Sequence, residues 1–341
     1  MRFGAFVPQG WRWDLMEIPK SDHWRIIEDR AKLIERSGFE SLWVYDHFHN
    51  WPPGWWKEQR EGVEGTPDPV TDVTYEAWTM MAALGAVTST VRLGQMCTCN
   101  TYRPPAYLAK VAATIDVFTG GRVEMGIGAG WYEDEHHGYG YEFLPPKDRL
   151  RMLREGIEIM KAFWTQDEVD YEGRFYKIEG GLGDPKPVQQ PHIPVWVAGG
   201  GEQVTLRIAA RHADYTNFGG DVETFRRKSE ILRQHCEDLG TDYDRIVRSG
   251  IFSAFLGETE AEAQDKISWL ASRLGKVMPQ ERADQFVDQF RLMTGTPEQV
   301  VERLKAYEAE GMSYAILNFA DIAYDTSSLE LFATRVIPEL S

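Results

Sequence analysis

Two stretches of the chain combine residue types and spacings that could do chemistry: Asp46-His47-Phe48-His49-Asn50-Trp51 and Gly126-Ile127-Gly128-Ala129-Gly130-Trp131. A histidine in a polar pocket can act as acid, base or hydrogen-bond donor near neutral pH. Histidines at a strand end also suggest zinc. No other stretch offers a matching cluster, so no metal is expected, and proton chemistry at His47 is the functional reading. Its structural alternative is an imidazole fixed by Asp46 or by a backbone carbonyl. His136 and His137 stand in a charged run and read as solvated. In the second stretch, glycines at alternate positions strip side chains from the end of a strand carrying Val123, Met125 and Ile127. Something flat or anionic can approach backbone bared in this way; the structural alternative is a glycine-rich turn closing a crowded strand. The spacing resembles a dinucleotide fingerprint, but it lacks the later glycine that leads directly into a helix. A third run, Ala198-Gly199-Gly200-Gly201, offers successive N–H groups at a helix start, where the dipole favours an anion. Together these runs suggest a phosphate-bearing cofactor, its tail over Gly199 to Gly201 and its ring towards Gly126 to Gly130.

Composition narrows the setting. A chain of 341 residues, 43% of them hydrophobic, can bury a large core. Its 37 Lys and Arg against 53 Asp and Glu give a formal charge of −16, which argues against nucleic acid or an anionic membrane as main partner. The N-terminal apolar run is too short for a signal peptide, and no apolar stretch reaches the roughly 20 residues of a spanning helix, so a cytoplasmic protein is expected. Cys97, Cys99 and Cys236 make neither a disulfide framework nor a zinc site; Cys97 and Cys99 read as core or pocket wall. Twelve tryptophans, including Trp11, Trp13, Trp51, Trp55, Trp56 and Trp131 in polar loops, point to ligand or subunit contact or, equally, to packing under the loops.

The elements that must position these residues alternate between β-like runs and amphipathic helices. Strands are expected over 3–7, 41–45, 91–97, 123–127, 194–198, 214–218, 246–256 and 313–319. The intervening helices include one over 22–38 with Trp24, Ile27, Ala31 and Ile34 on one stripe, one through 199–212, and one opened by the capping box Thr296-Pro297-Glu298-Gln299. A Pro-, Gly- and Trp-rich loop runs to Asp72. An irregular insertion lies at about 165–193 with a hairpin over 171–176, and helical decoration at about 275–293. Eight strand–helix units in a single domain spanning 1–341 predict the α/β class and a (β/α)8 TIM barrel. The C-terminal strand ends of such a barrel form its active site, and all three stretches fall there.

Read in order, the chain resembles the bacterial-luciferase-like flavin and deazaflavin oxidoreductases. The pieces are Trp43 to Phe48, Val91 to Gly94, Gly126 to Glu133 with Glu135, Phe175-Tyr176, Pro185 to Gln189 with Pro191, Ala198 to Gly201, and Ala210 with Ala213-Asp214. The resemblance implies a barrel with an insertion after the fourth helix, usually dimeric, with coenzyme F420 or FMN as cofactor. Asp46-His47-Phe48-x-x-Trp51 and the triple glycine look most like the F420-dependent branch. That branch's non-proline cis peptide matches Met96-Cys97. His47 and Trp51 would face the reacting centre. Asp46, Met96, Cys97, Gly128, Ala129, Gly130, Ala198, Gly199, Gly200 and Gly201 would lie about the cofactor. One departure stands out: Trp131 occupies the place of a glutamate general acid in the sugar-phosphate dehydrogenases, and their phosphate-binding cations are not found by pattern. The reaction implied is hydride transfer between the deazaflavin C5 and a small, neutral, partly apolar substrate. The alternative is an FMN-dependent monooxygenase using reduced flavin and O2.

Overall fold

The structure, a computed structural model, describes residues 1–50 and 73–340; most of the expected loop to Asp72, Trp51 included, lies outside the described residues. The strands are β1 (Arg2–Phe6), β2 (Ser41–Val44), β3 (Arg92–Gln95), β4 (Val123–Gly128), β5 (Val195–Ala198), β6 (Tyr215–Asn217), β7 (Val247–Ser253) and β8 (Tyr314–Asn318). All pair in parallel with their neighbours. β8 returns to β1 through Arg2↔Tyr314, and β3 joins β4 through Leu93↔Val123, so the sheet closes on itself. Helices α1 (Lys20–Arg36), α2 (Ala77–Val87), α3 (Pro105–Thr119), α4 (Pro146–Thr165), α5 (Thr205–His212), α6 (Val222–Leu239) and α7 (Glu260–Leu274) follow β1 to β7 in turn; α8 (Pro297–Ala309) leads into β8, and the helical segment from Ser327 to Leu340 follows it. The molecule is a (β/α)8 barrel, with every residue of β2 and β4 buried.

The main apolar core lies between strands and helices, and a second cluster built from Phe6, Trp43, Met96, Trp196, Tyr314 and Ile316 fills the barrel interior. Trp43 fits there because Gly4 and Gly94 leave its indole room; a Cβ on Gly94 would stand 2.3 Å from Trp43 Cζ3. On α1 the buried stripe is His23, Ile27, Ala31 and Ile34, so Trp24, expected inside, is one residue off the stripe and 42% exposed. The capping box at α8 forms, with the Thr296 N–H donating to Gln299 Oε1 at 3.0 Å.

Four local differences from the sequence reading bear on the site. The third strand breaks after Gln95, where the Met96–Cys97 peptide is cis, and resumes at Thr98–Cys99 against Ile127 and Gly128 of β4. The helix expected through the triple glycine starts only at Thr205. Gly199, with φ +119°, sends the chain into a short turn, and three side-chain-free residues resist helix formation. Between α4 and β5, residues Glu168–Glu172 and Lys177–Leu182 form an antiparallel hairpin around the expected turn. After β4 a short helix, Glu133–Gly138, carries the charged run.

Candidate functional site

The C-terminal ends of the strands surround a cavity of about 410 Å³. On the β4–β5 side its wall is mostly backbone: Gly128, Ala129 and Gly130, then Ala198 and Gly199. Close approach explains the glycines of β4. A Cβ on Gly126 would lie 1.8 Å from the Gln95 carbonyl oxygen, and one on Gly128 would lie 2.7 Å from Cys97 Sγ. The glycines thus let the irregular third strand press against β4 and place Met96 and Cys97 in the cavity wall. Burial pushes the Cys97 and Cys99 thiols up to about 12, so both are neutral wall residues at physiological pH.

His47 lines the cavity from the end of β2, against Trp131 and Tyr132 of the loop after β4, and its position is over-determined. Nδ1 lies 2.9 Å from Glu135 Oε2, and Trp11 stacks on the imidazole at 3.7 Å between centroids with 9° between planes. Trp131 and Tyr132 meet it edge-on at 5.7 and 5.8 Å. Glu135 also accepts from the Tyr102 hydroxyl at 2.6 Å and from the Phe48 N–H at 2.5 Å. Burial works to raise the Glu135 pKa, but the bonds from His47, Tyr102 and Phe48 outweigh it and hold the carboxyl below its ordinary value. An ionised Glu135 accepts only, so His47 Nδ1 carries a proton. Nε2 then has no protein partner among the described residues and belongs to a ring that lines the cavity. It can accept a proton when the ring is neutral or donate one when it is charged.

The sequence expectations sort themselves against this geometry. Asp46 does not hold His47. Its carboxylate accepts the Cys99 N–H at 2.8 Å and both Arg103 guanidinium nitrogens at 2.7 and 2.9 Å, tying β2 to the third strand beneath the cavity. Burial opposes the Arg103 charge, but Asp46 and Glu76 keep its pKa above the ordinary value. His136, read as solvated, is fully buried; its Nδ1–H donates to the Tyr132 carbonyl at 2.8 Å and Nε2 accepts from the Thr101 hydroxyl at 2.8 Å. Burial lowers its pKa. Gly200 and Gly201 lie beyond the cavity wall, and Trp51 lies outside the described residues. Glu135 and the cavity-lining Arg12 were missed. Glu135 was quoted in a motif without a role, because only the fold buries it.

A flat, phosphate-bearing ring system fits these residues. The wall from Met96 to Gly130 is bare and apolar. Beyond Gly199 the N–H groups of Gly200 and Gly201 have no protein acceptor among the described residues. The missing Cβ of Gly200 admits Lys228 Nζ, which would stand 2.3 Å from it and donates to the Gly219 carbonyl at 3.2 Å. Backbone donors and an ammonium together suit a phosphate. Among the described residues no group of three or more His, Cys, Asp or Glu could hold a metal ion, and no helix is long and apolar enough to cross a membrane.

Known proteins resemble this chain in sequence and in fold. The chain is 39% identical over 184 residues to an uncharacterized protein of Mycobacterium tuberculosis, an alignment spanning 54% of this chain and 64% of that relative. It is 26% identical to the FMNH2-dependent dimethylsulfone monooxygenase of Pseudomonas putida, covering 94% of this chain and 90% of the relative. It is 28% identical to the F420-dependent glucose-6-phosphate dehydrogenase of Nocardia farcinica, covering 93% and 94%. The solved F420-dependent secondary alcohol dehydrogenase in complex with an F420-acetone adduct superposes with a TM-score of 0.75 at 19% identity, covering 100% of this chain and 99% of that one, a likeness of fold alone. Residues 1–314 match the sequence profile described as luciferase-like monooxygenase, and the chain belongs to that family of oxidoreductases and monooxygenases.

Proposed function

We propose that the protein is a coenzyme F420-dependent oxidoreductase acting on a small, partly apolar organic substrate. The observation that carries this reading is His47. Its Nδ1 is fixed by Glu135, its Nε2 has no partner among the described residues, and its ring lines the same cavity as the bare backbone of Gly128 to Gly130. Gly128, Ala129, Gly130, Met96 and Cys97 would flank the ring, and Gly199 to Gly201 with Lys228 would hold the phosphate. When bound, the deazaflavin supplies or accepts a hydride at C5. The protein's part is then to place the substrate and move one proton. In reduction, a charged His47 gives its Nε2 proton to the substrate oxygen; in oxidation, the neutral ring takes that proton. Trp11 beneath the ring and Glu135 behind it keep Nε2 aimed, and an ionised Glu135 stabilises the imidazolium. Trp131, 56% exposed, walls the opening and offers no proton, so the glutamate chemistry of sugar-phosphate dehydrogenases has no counterpart at that position.

The similarity to an FMNH2-dependent monooxygenase over 94% of the chain favours a second reading, an enzyme using reduced FMN and dioxygen. Titrating the purified protein separately with F420 and with FMN distinguishes them. Tight binding of F420 is expected. Tight binding of FMN alone, with oxygen consumed when reduced FMN is supplied, would replace the first reading by the second.

A further inference from the structure

Where β1 and β2 open into the cavity, two hydrogen-bonding groups are left unused. Arg12 Nε and the Tyr45 hydroxyl are both hidden from solvent and neither has a partner among the described residues. Both residues line the main cavity, and both also line a narrow recess of about 20 Å³ that runs on towards Trp269, Phe286 and Phe290. Tyr45 is only 8% exposed. The Arg12 guanidinium carbon lies 5.4 Å from the Tyr45 ring centre and 5.7 Å from that of Phe286. Aromatic contacts of this kind satisfy the faces of a guanidinium but not its N–H edge. Nη1 reaches Gln289 Oε1 only at 3.4 Å.

The loop holding these groups is built to keep them in place. Arg12 and Trp13 sit at φ +63° and +57°, a left-handed conformation that side chains other than glycine rarely adopt. Asn50 fixes it, accepting the Arg12 N–H at 2.5 Å and donating to the Gly10 carbonyl at 2.8 Å. The Gln9 side-chain amide pairs with the Tyr45 N–H and carbonyl, each at 2.7 Å, so the β1 loop and Tyr45 move as one body. Burial raises the Tyr45 phenol to about 12, which keeps it a neutral donor. Buried donors are nearly always paired, and these two unused groups can both donate to an acceptor in the cavity. A carboxylate is such a partner, and a guanidinium fork matches its planar shape. On a chain of net charge −16, an anionic group needs a local cation of this kind.

We propose that Arg12 and Tyr45 form the substrate's anion subsite, so that the substrate carries a carboxylate or equivalent anionic oxygen group on an apolar body. The inference rests on the reading of the His47 side of the cavity as the substrate side. It replaces the wholly neutral substrate expected from the tryptophan-rich loops with one that has an apolar part against Trp11 and Trp131 and a charged end at Arg12. A lone buried water is the competing occupant, since the recess has room for about one.

The test is binding of matched pairs of carboxylic acids and their primary amides, among them phenylacetate with phenylacetamide and hexanoate with hexanamide. Each is read by calorimetry and thermal shift with the cofactor absent and present. At least one acid is expected to bind about tenfold or more tightly than its amide, as loss of one charge-assisted bond predicts. Arg12→Gln should abolish that preference, and Tyr45→Phe should reduce it without lowering the ligand-free melting temperature. An absence of acid preference in the wild type, or a preference that survives Arg12→Gln, overturns the subsite. F420 and FMN titrations of the same samples separate the two claims. A protein that binds cofactor but ignores every acid refutes the subsite alone, whereas one that binds neither cofactor refutes the proposed function.

Discussion

Across the cavity, the β4–β5 side presents Gly128, Ala129, Gly130 and Gly199, whereas the β1–β2 side presents Trp11, Arg12, Tyr45 and His47. One wall is backbone with side chains removed; the other is side chains held by networks of hydrogen bonds and stacking. A bare wall selects by shape and suits a large planar group that many related proteins share. A wall of oriented side chains selects by chemistry, and it sets which substrate reacts. The cofactor class is therefore easier to infer than the substrate, and the β1–β2 wall is where the chain's own specificity resides.

If this division holds, changes on the two walls should separate. The largest effect is expected for His47→Ala, which should lower turnover by about 10²- to 10⁴-fold, the usual worth of a positioned acid or base, with cofactor affinity unchanged. Unaltered turnover in steady-state assays would return His47 to a structural role. Glu135→Gln should cost about tenfold or more in turnover but less than His47→Ala. The glutamine oxygen still accepts from Nδ1, yet it no longer stabilises an imidazolium. A drop in cofactor affinity instead of turnover would mean that the division is drawn in the wrong place.

On the opposite wall, Gly128→Ala pushes a methyl to within 2.7 Å of Cys97 Sγ, so Cys97 must shift. It should destabilise the fold by about 1–3 kcal/mol, measured by denaturant unfolding, and weaken cofactor binding. The smallest effect is a control far from both walls. Glu35 accepts the N–H groups of Ser89, Thr90 and Val91 at 2.8, 2.6 and 3.1 Å. Burial would raise its pKa, but these bonds lower it from 4.5 to about 2. Its contribution to stability is therefore present above pH 4.5 and is lost as pH falls towards 2. Glu35→Gln should lower the melting temperature slightly at pH 7, and the gap from wild type should close on acidification. Cofactor affinity and turnover should not move.

The barrel was legible because its parts are local: β-like runs, helical stripes, proline at the first position of α8 and the capping box at Thr296. The bare wall was also legible, since alternate glycines are visible without a fold. The other wall was less so. Glu135 sits in a run of charges that reads as solvated, and only the packing of the Glu133–Gly138 helix under His47 buries it. Arg12 is a single arginine between two tryptophans, and its unused N–H edge exists only once the β1 loop is folded. The misplaced start of α5 follows from reading Gly199 to Gly201 as helix, where the left-handed turn at Gly199 delays it.

The central claim, that backbone and Lys228 hold the cofactor while His47 serves the substrate, is tested most directly by titrating F420 into wild type, His47→Ala and Lys228→Ala side by side. The account predicts unchanged affinity for His47→Ala and about tenfold or weaker binding for Lys228→Ala, the loss of one charge-assisted contact. Weakened binding in His47→Ala with full affinity in Lys228→Ala would contradict it.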